Sequence, residues 1–298
     1  MKILLLGANG QVGWELQRSL APLGQVKVSD RHTANLEDVN VLRKLVRDYS
    51  PDVIVNASAL TAVDKAESEP EKTYRINAKA VGLLAKEAKQ LDALLIHYST
   101  DYVFDGTKTK AYTETDKTNH QSVYGRTKLQ GEKAIKTSGC KHLIFRSSWV
   151  YAVRGDNFIK TIMRLTKEQD ELQVVNDQIG APTSAELIAD VTALCLYKIS
   201  QIKNQQKLTG TYNLTATGET SWHNFAQYIT AEMQKQGELL KINPDKIEPI
   251  KSVAAPSVAT RPSNSLLSTQ KIQNSFNIYL PPWQKHVVRM IKEIYKKK

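Results

Sequence analysis

The chain has 298 residues, 41% hydrophobic and 24% charged, with 41 Lys and Arg against 30 Asp and Glu for a formal charge of +11 at pH 7. This fits a globular protein that can bury its own core, and it excludes disordered and collagen-like classes. Cys140 and Cys195 are too few and too far apart for a disulfide framework or a CxxC zinc site. Six histidines show no HExxH spacing, and only four consecutive apolar residues precede Gly7, short of the roughly 7–15 of a signal core or about 18 of a membrane span.

These counts lead to the expectation of a cytoplasmic protein with no membrane association. The basic balance invites a nucleic-acid reading, but no RNP, KH or zinc-finger pattern accompanies it. The basic residues are spread along helices and collected in a tail, Lys292–Lys298, expected to be frayed. No nucleic-acid partner is expected, and a basic surface also suits steering of a small anionic substrate.

The first elements alternate between strand and helix. Lys2–Leu6 reads as a strand and runs into Gly7-Ala8-Asn9-Gly10-Gln11-Val12-Gly13. Gln11–Leu23 follows as a helix with Val12, Leu16 and Leu20 on one face. A GxxGxxG loop between strand and helix is a phosphate-binding turn. Its glycines allow a tight turn and close approach to pyrophosphate, which the amides at the helix N-terminus then bind.

Val26–Ser29 is the next strand, with Asp30 at its end, where an acidic residue would bond the adenine ribose hydroxyls and favour NADH. Arg31 beside it could instead pair with the 2′-phosphate of NADPH, so the cofactor preference stays open. Val39–Asp48 is a helix closed by Pro51, and Asp52–Asn56 a strand. The β-branched run Val53-Ile54-Val55 implies burial on both faces, as in a parallel sheet. Ala57-Ser58-Ala59 follows that strand. Lys72–Leu91 reads as a long helix, Leu94–Ser99 as a strand.

Thr100 stands just beyond that strand, where open α/β sheets bind ligands. The helix Tyr124–Ser138 opens with Tyr124-Gly125-Arg126-Thr127-Lys128, which places Tyr124 and Lys128 on one face at i and i+4. A cation beside a phenol lowers its pKa from about 10, which suits the phenol to proton transfer. The spacing alone is weak evidence. Its position opposite the phosphate loop and Thr100 makes it a hydride-transfer site.

After the strand His142–Ser147 the rhythm changes. Helices are expected over Asn157–Lys167, Glu186–Lys198, Trp222–Gly237 and Trp283–Lys296. Short strands are expected over Leu172–Val175 and Gly210–Leu214, and the stretch around Pro244, Pro249, Pro256 and Pro262 reads as irregular. The fold class is therefore α/β: a Rossmann-type doubly wound parallel sheet with a smaller C-terminal substrate-binding region. Residues 1–150 would bind NAD(P), elements at about 184–235 would pack on them, and about 151–183 with 236–298 would bind substrate.

GANGQVG, NASALTAVDKAE (Asn56–Glu67), STDYVFDG (Ser99–Gly106), YGRTK, FRSSWVY (Phe145–Tyr151), NDQIGAPT (Asn176–Thr183) and ATRPSNS (Ala259–Ser265) occur in this order. Together they closely resemble the dTDP-4-dehydrorhamnose reductases, a branch of the extended short-chain dehydrogenases/reductases, over nearly the whole chain. The resemblance implies NADPH- or NADH-dependent reduction of a dTDP-linked 4-keto-6-deoxyhexose. Tyr124 would be the acid, Lys128 would bind the nicotinamide ribose, and Thr100 would bond the C4 oxygen. It assigns Asp101, Tyr102, Trp149, Asn176, Gln178, Thr183, Arg261 and Asn264 to the nucleotide sugar. A homodimer is implied, with Mg2+ at Glu15, Glu186 and Asp190.

Leu60, the segment Asn35-Leu36-Glu37 and Leu266 depart from the family pattern. Trp149 has a second reading as a core residue. The alternatives in function are a cofactor-retaining epimerase or dehydratase on the same scaffold, and a non-catalytic NAD(P)-binding regulatory subunit.

Overall fold

The computed structural model describes residues 1–255 and 257–296. Pro256, in the stretch expected to be irregular, and Lys297 and Lys298, the end of the expected tail, lie outside the described residues.

The strands β1 (Lys2–Leu6), β2 (Gln25–Ser29), β3 (Val53–Asn56), β4 (Leu94–Thr100) and β5 (His142–Ser147) alternate with helices. These are α1 (Gln11–Leu20), α2 (Val39–Tyr49), α3 (Ala80–Gln90) and α4 (Val123–Ser138). A sixth strand, β6 (Gly210–Asn213), pairs beyond β5, and the order is β6-β5-β4-β3-β1-β2. Every pairing in the sheet is parallel.

Alternation along the strands divides the core. Ile3, Leu5, Val53 and Val55 face one side with Leu16 and Leu20 of α1. Leu4, Leu6 and Ile54 face the other, with Leu42 and Val46 of α2 and Leu84 of α3. Both faces are covered, which is why the strands read as unbroken apolar runs. On the first side the core continues into the C-terminal half, through Leu187 and Ile188 of α6 (Ala185–Ser200), Phe225 of α7 (Trp222–Lys235) and Ile291 of α8 (Trp283–Lys296). The helix preceding α6, α5 (Phe158–Glu168), packs on α7. The sheet and the C-terminal elements thus share one core.

Three expectations change in detail. The helix expected over Lys72–Leu91 begins at Pro70 and passes through a π-turn, Arg75–Lys79, before α3. Asn77 and Ala78 are buried within this turn. Asn77 clasps Leu60 from both sides, accepting from its amide at 2.9 Å and donating to its carbonyl at 3.0 Å.

The stretch expected to be irregular contains a strand, Ile247–Ile250, paired in parallel with Leu172–Val175, and a helix, Gln270–Phe276. Pro249 is tolerated because that ribbon has no third strand to need its amide. The expected frayed tail is helical through Lys296, held by Val287, Met290 and Ile291 against the core.

Helix α4 owes its position to its ends and to one glycine. The Ser122 hydroxyl caps its first turn by accepting from the Gly125 amide at 3.1 Å. Gly139 ends it in the left-handed conformation, at φ 67°. At Gly125 a Cβ would stand 2.1 Å from the Tyr102 carbonyl oxygen, so only glycine lets the helix approach the loop after β4.

Candidate active site

The carboxyl ends of β1, β3, β4 and β5 open into a cavity of about 630 Å3. A trough of about 570 Å3 adjoins it, and the two share Gly10, Ala57, Ser58, Ala59 and Thr61 as lining. Gly7, Asn9, Gly10, Asp30 and Arg31 line the trough. Gln11, Val12, Thr100, Asp101, Tyr102, Tyr124, Lys128, Trp149, Gln178 and Arg261 line the cavity.

The phosphate loop is shaped for a dinucleotide. A Cβ at Gly13 would lie 2.0 Å from the Gly7 carbonyl oxygen, so α1 can start this close to β1 only with glycine there. No side chain caps α1, which leaves its first amides free for phosphate. These features fit a bound pyrophosphate.

Asp30 sits as expected at the end of β2, but its carboxylate is engaged locally. One oxygen accepts from the His32 and Thr33 amides, both at 3.0 Å, and the other from the Asn9 side chain at 2.9 Å. The amide of Thr33 first, then burial opposing it, leaves the Asp30 carboxyl below its ordinary range. Around it the trough carries Arg31, Lys65 and Lys72, a set of cations suited to an anionic group.

At the other end, Thr100, Tyr124 and Lys128 come together as the spacing predicts. Tyr124 is buried, meets Tyr102 edge-on at 5.5 Å between ring centroids, and has the Thr100 hydroxyl as hydrogen-bond partner. Burial pushes its phenol upward against the Thr100 hydrogen bond, the opposite of the expected lowering by Lys128. The reason is geometric. The Lys128 ammonium donates to the Tyr98 carbonyl at 2.5 Å and meets His97 Nε2 at 3.4 Å, so it does not point at the phenol. Burial also lowers the Lys128 pKa to about 8.

Asp101 is buried, and burial pushes its carboxyl up to about 6 against hydrogen bonds from Ser265 and Thr100. A carboxyl whose folded pKa lies above its unfolded value binds its proton more tightly in the folded state. Stability is then greatest below the unfolded value and is lost as pH rises through about 6, by at most about 3 kcal/mol. Asp101→Asn is accordingly expected to raise the melting temperature at about pH 7.5 and far less at about pH 4.5. Thermal melts at both values check this, and equal gains at the two would refute it.

Trp149 lies in the left-handed region at φ 49°. Its indole stacks on Trp222, with centroids 3.5 Å apart and planes 9° from parallel. It lines the cavity and also packs against the core. Arg261 bonds Asp64 at 2.9 Å, and the Ala259 amide donates to the same carboxylate at 3.0 Å.

Three expected substrate residues are placed outside the cavity lining. The Thr183 hydroxyl donates to the Ala181 carbonyl and accepts from the Ala216 amide. Asn264 donates to the Lys108 and Lys110 carbonyls and accepts from the Leu266 amide. The Asn176 amide donates to the Ile250 carbonyl. The two hydrogen-bonded side chains brace loops.

The carboxylates expected to hold Mg2+ share one surface but are otherwise engaged. Asp190 bonds Arg18 at 2.9 Å and Ser19 at 2.6 Å, and Glu186 lies 3.2 Å from Arg289. Among the described residues no group of three or more His, Cys, Asp or Glu could hold a metal ion. Among the same residues no helix is long and apolar enough to cross a membrane.

Sequence reasoning missed His97, Asn56 as a hydrogen-bonding group, Asp64 and Trp222. The first two sit inside strands that read as plain core. No periodicity distinguishes Trp222 from a packing residue. The local sequence around Asp64 gives no sign of its distant partner Arg261.

The family model described as "RmlD substrate binding domain" matches residues 1–296. A dTDP-4-dehydrorhamnose reductase of Escherichia coli (strain K12) is 49% identical, covering 99% of this chain and 98% of that protein. A crystal structure of a dTDP-4-dehydrorhamnose reductase from Clostridium acetobutylicum superposes with a TM-score of 0.89 at 34% identity over 99% of both chains. Another, from Bacillus anthracis in complex with NADP, gives 0.87 at 31% identity, covering 98% of this chain and 99% of that one.

Proposed function

The chain belongs to the family described as RmlD substrate binding domain, and from that premise we propose that it uses NADPH to reduce the C4 keto group of dTDP-6-deoxy-L-lyxo-4-hexulose to dTDP-L-rhamnose. The observation that carries this reading is the convergence of Thr100, Tyr124 and Lys128 in one cavity continuous with the glycine loop. The relatives' names and the NADP complex support the substrate and the cofactor.

The amides at the start of α1 would hold the pyrophosphate, and Lys128 the nicotinamide ribose. NADPH held there would supply hydride chemistry at C4. Thr100 would orient the C4 oxygen, where the C=O electron pair collects. Tyr124 would give its phenolic proton to that oxygen. Burial keeps the phenol protonated beforehand, as a proton donor must be. The phenolate left behind would accept from the Thr100 hydroxyl, and one proton from solvent would reset the site.

Trp149 would lie against the sugar, and Asp101, Tyr102 and Gln178 would bond its hydroxyls. Arg261 would exchange Asp64 for the diphosphate, which a guanidinium can bond bidentately. Turnover of enzymatically generated dTDP-4-keto-6-deoxy sugar, followed at the nicotinamide absorbance, tests the reading. No oxidation of NADPH would end it.

Arg31 is the residue we assign to the 2′-phosphate, because the Asp30 carboxylate is already engaged by His32, Thr33 and Asn9. A charge-assisted hydrogen bond is worth about 1.5–3 kcal/mol. Arg31→Ala should therefore raise the KM for NADPH by roughly tenfold or more and leave that for NADH within about twofold. Equal effects on both cofactors would remove Arg31 from the role.

We also propose a homodimer in the cytoplasm. Leu194 and Tyr197, 53% and 55% exposed on α6, support an interface there, and sedimentation measures it. Two unpaired buried cysteines suit a reducing compartment.

A further inference from the structure

His97 is wholly buried in β4, and the proton transfers described above do not use it. It is the sheet partner of Asn56 on β3, and its two ring nitrogens have different neighbours. Nδ1 lies 3.2 Å from the Asn56 side-chain nitrogen, and Nε2 lies 3.4 Å from Lys128 Nζ.

The orientation of the Asn56 amide follows from its other contact. Its oxygen accepts from the Ser58 backbone amide at 3.1 Å, so its NH2 must face the histidine. A flipped amide would set two donors against each other at Ser58. Nδ1 of His97 is then an acceptor, and the ring proton sits on Nε2. That N–H points at Lys128. An ammonium has no lone pair to receive it, whereas a neutral amine does.

We propose that His97 is a positioning residue for the reduction: fixed as its Nε2–H tautomer by Asn56, it presents a donor to Lys128, favours the amine over the ammonium, and sets the alkaline limb of activity.

Ser58 lines both the trough and the cavity. The line of contacts therefore runs from the phosphate-loop side of the site through Asn56 and His97 to the lysine. The other groups around Lys128 do not reproduce this effect. Tyr124 and Glu132 lie on its own helix, and the Glu132 charge favours the ammonium. From β4 the Tyr98 carbonyl accepts from it, and the Tyr98 hydroxyl pairs with Thr192. Asp101 and Tyr102 line the same cavity from the loop beyond β4. Burial and the Lys128 charge hold His97 neutral, well below its ordinary pKa.

The inference rests on the reductase reading, and two measurements separate their fates. The first is the tautomer of His97 in the wild-type protein, read from long-range 1H–15N correlations of [15N]histidine and assigned through its backbone amide. A proton on Nε2 is expected. A proton on Nδ1 would overturn the proposal whatever the enzyme does.

The second is the pH profile of kcat for wild type and His97→Gln. A glutamine can turn its carbonyl oxygen to Lys128 and favour the ammonium. The alkaline limb is therefore expected to move up by about one unit, a tenfold change in the proton equilibrium. A merely structural histidine would lower kcat without moving that limb. An unmoved limb in a folded, NADPH-binding variant overturns the proposal. If the variant does not fold, the wild-type tautomer decides. Wild-type protein that shows Nε2–H and does not turn over the keto sugar counts against the reductase reading, not against the wiring of His97.

Discussion

Tyr124→Phe is expected to lower kcat for keto-sugar reduction by about 10²- to 10⁴-fold, the range that a positioned general acid contributes. The change removes one oxygen and keeps the ring, so the edge-on contact with Tyr102 survives. The buried hydroxyl carries a desolvation cost that its loss relieves, and stability should hold or rise slightly. NADPH affinity should stay within about threefold, because the phosphate loop and Lys128 are untouched and about 0.7 kcal/mol is the corresponding change. Steady-state kinetics with a parallel NADPH titration separates these effects. A kcat within tenfold of wild type would show that the C4 oxygen takes its proton from another group, and Asp101 would be the next to test.

Glu132→Ala is expected to destabilise the protein by about 3–5 kcal/mol, the usual cost of leaving a buried charge without its partner. Glu132 is wholly buried and Arg146 is 2% exposed. The guanidinium bonds both carboxylate oxygens, at 2.8 and 2.6 Å, and the Ser99 hydroxyl donates to one of them at 2.6 Å. The Arg146 guanidinium also stands 5.1 Å from the centre of the Phe104 ring.

Burial alone would raise the Glu132 carboxyl, but Arg146 outweighs it and the net shift is downward. A carboxyl depressed in the folded state stabilises above its unfolded pKa, about 4.3, and the contribution is lost as pH falls through the folded value. The variant should therefore differ most from wild type near neutrality and less in strong acid. Urea unfolding at both conditions measures this. A loss below about 1 kcal/mol at neutral pH would mean that water reaches Arg146 once the carboxylate is gone. Ser99 directly precedes Thr100 and Glu132 lies one turn beyond Lys128, so the pair also ties two site-bearing elements together.

The elements whose signal is local were legible from the residues. Val53-Ile54-Val55 announced a strand covered on both faces, and Gly7, Gly10 and Gly13 announced a turn made for phosphate. Tyr124 and Lys128 came from helical spacing plus their place after β4. What was not legible depends on contacts between distant segments. Thr183 and Asn264 belong to motifs that imply substrate contact, yet their polar atoms hold backbone within loops. The direction of the Lys128 ammonium follows from His97 and the Tyr98 carbonyl across the sheet, and the upward shift of Tyr124 from its burial. A π-turn inside an apparently ordinary helix leaves no mark in its periodicity, because the partners of Asn77, Leu60 and Thr127, lie in segments distant in sequence.

The sixth strand makes the order of synthesis matter. Gly210–Asn213 pairs with Leu143–Arg146, so β5 is made long before its outer neighbour. On the ribosome, a nascent chain that has released β1 to β5 carries an open strand edge, with unpaired backbone donors and acceptors, until residue 213 emerges. Such an edge is a template for pairing with another chain. A truncation after about residue 205 freezes the protein in that state, and it should collect in the insoluble fraction while full-length chain does not. The late strand covers β5 and leaves only its own four residues as that edge of the sheet, and co-translational chaperones should be most needed in the interval between β5 and β6.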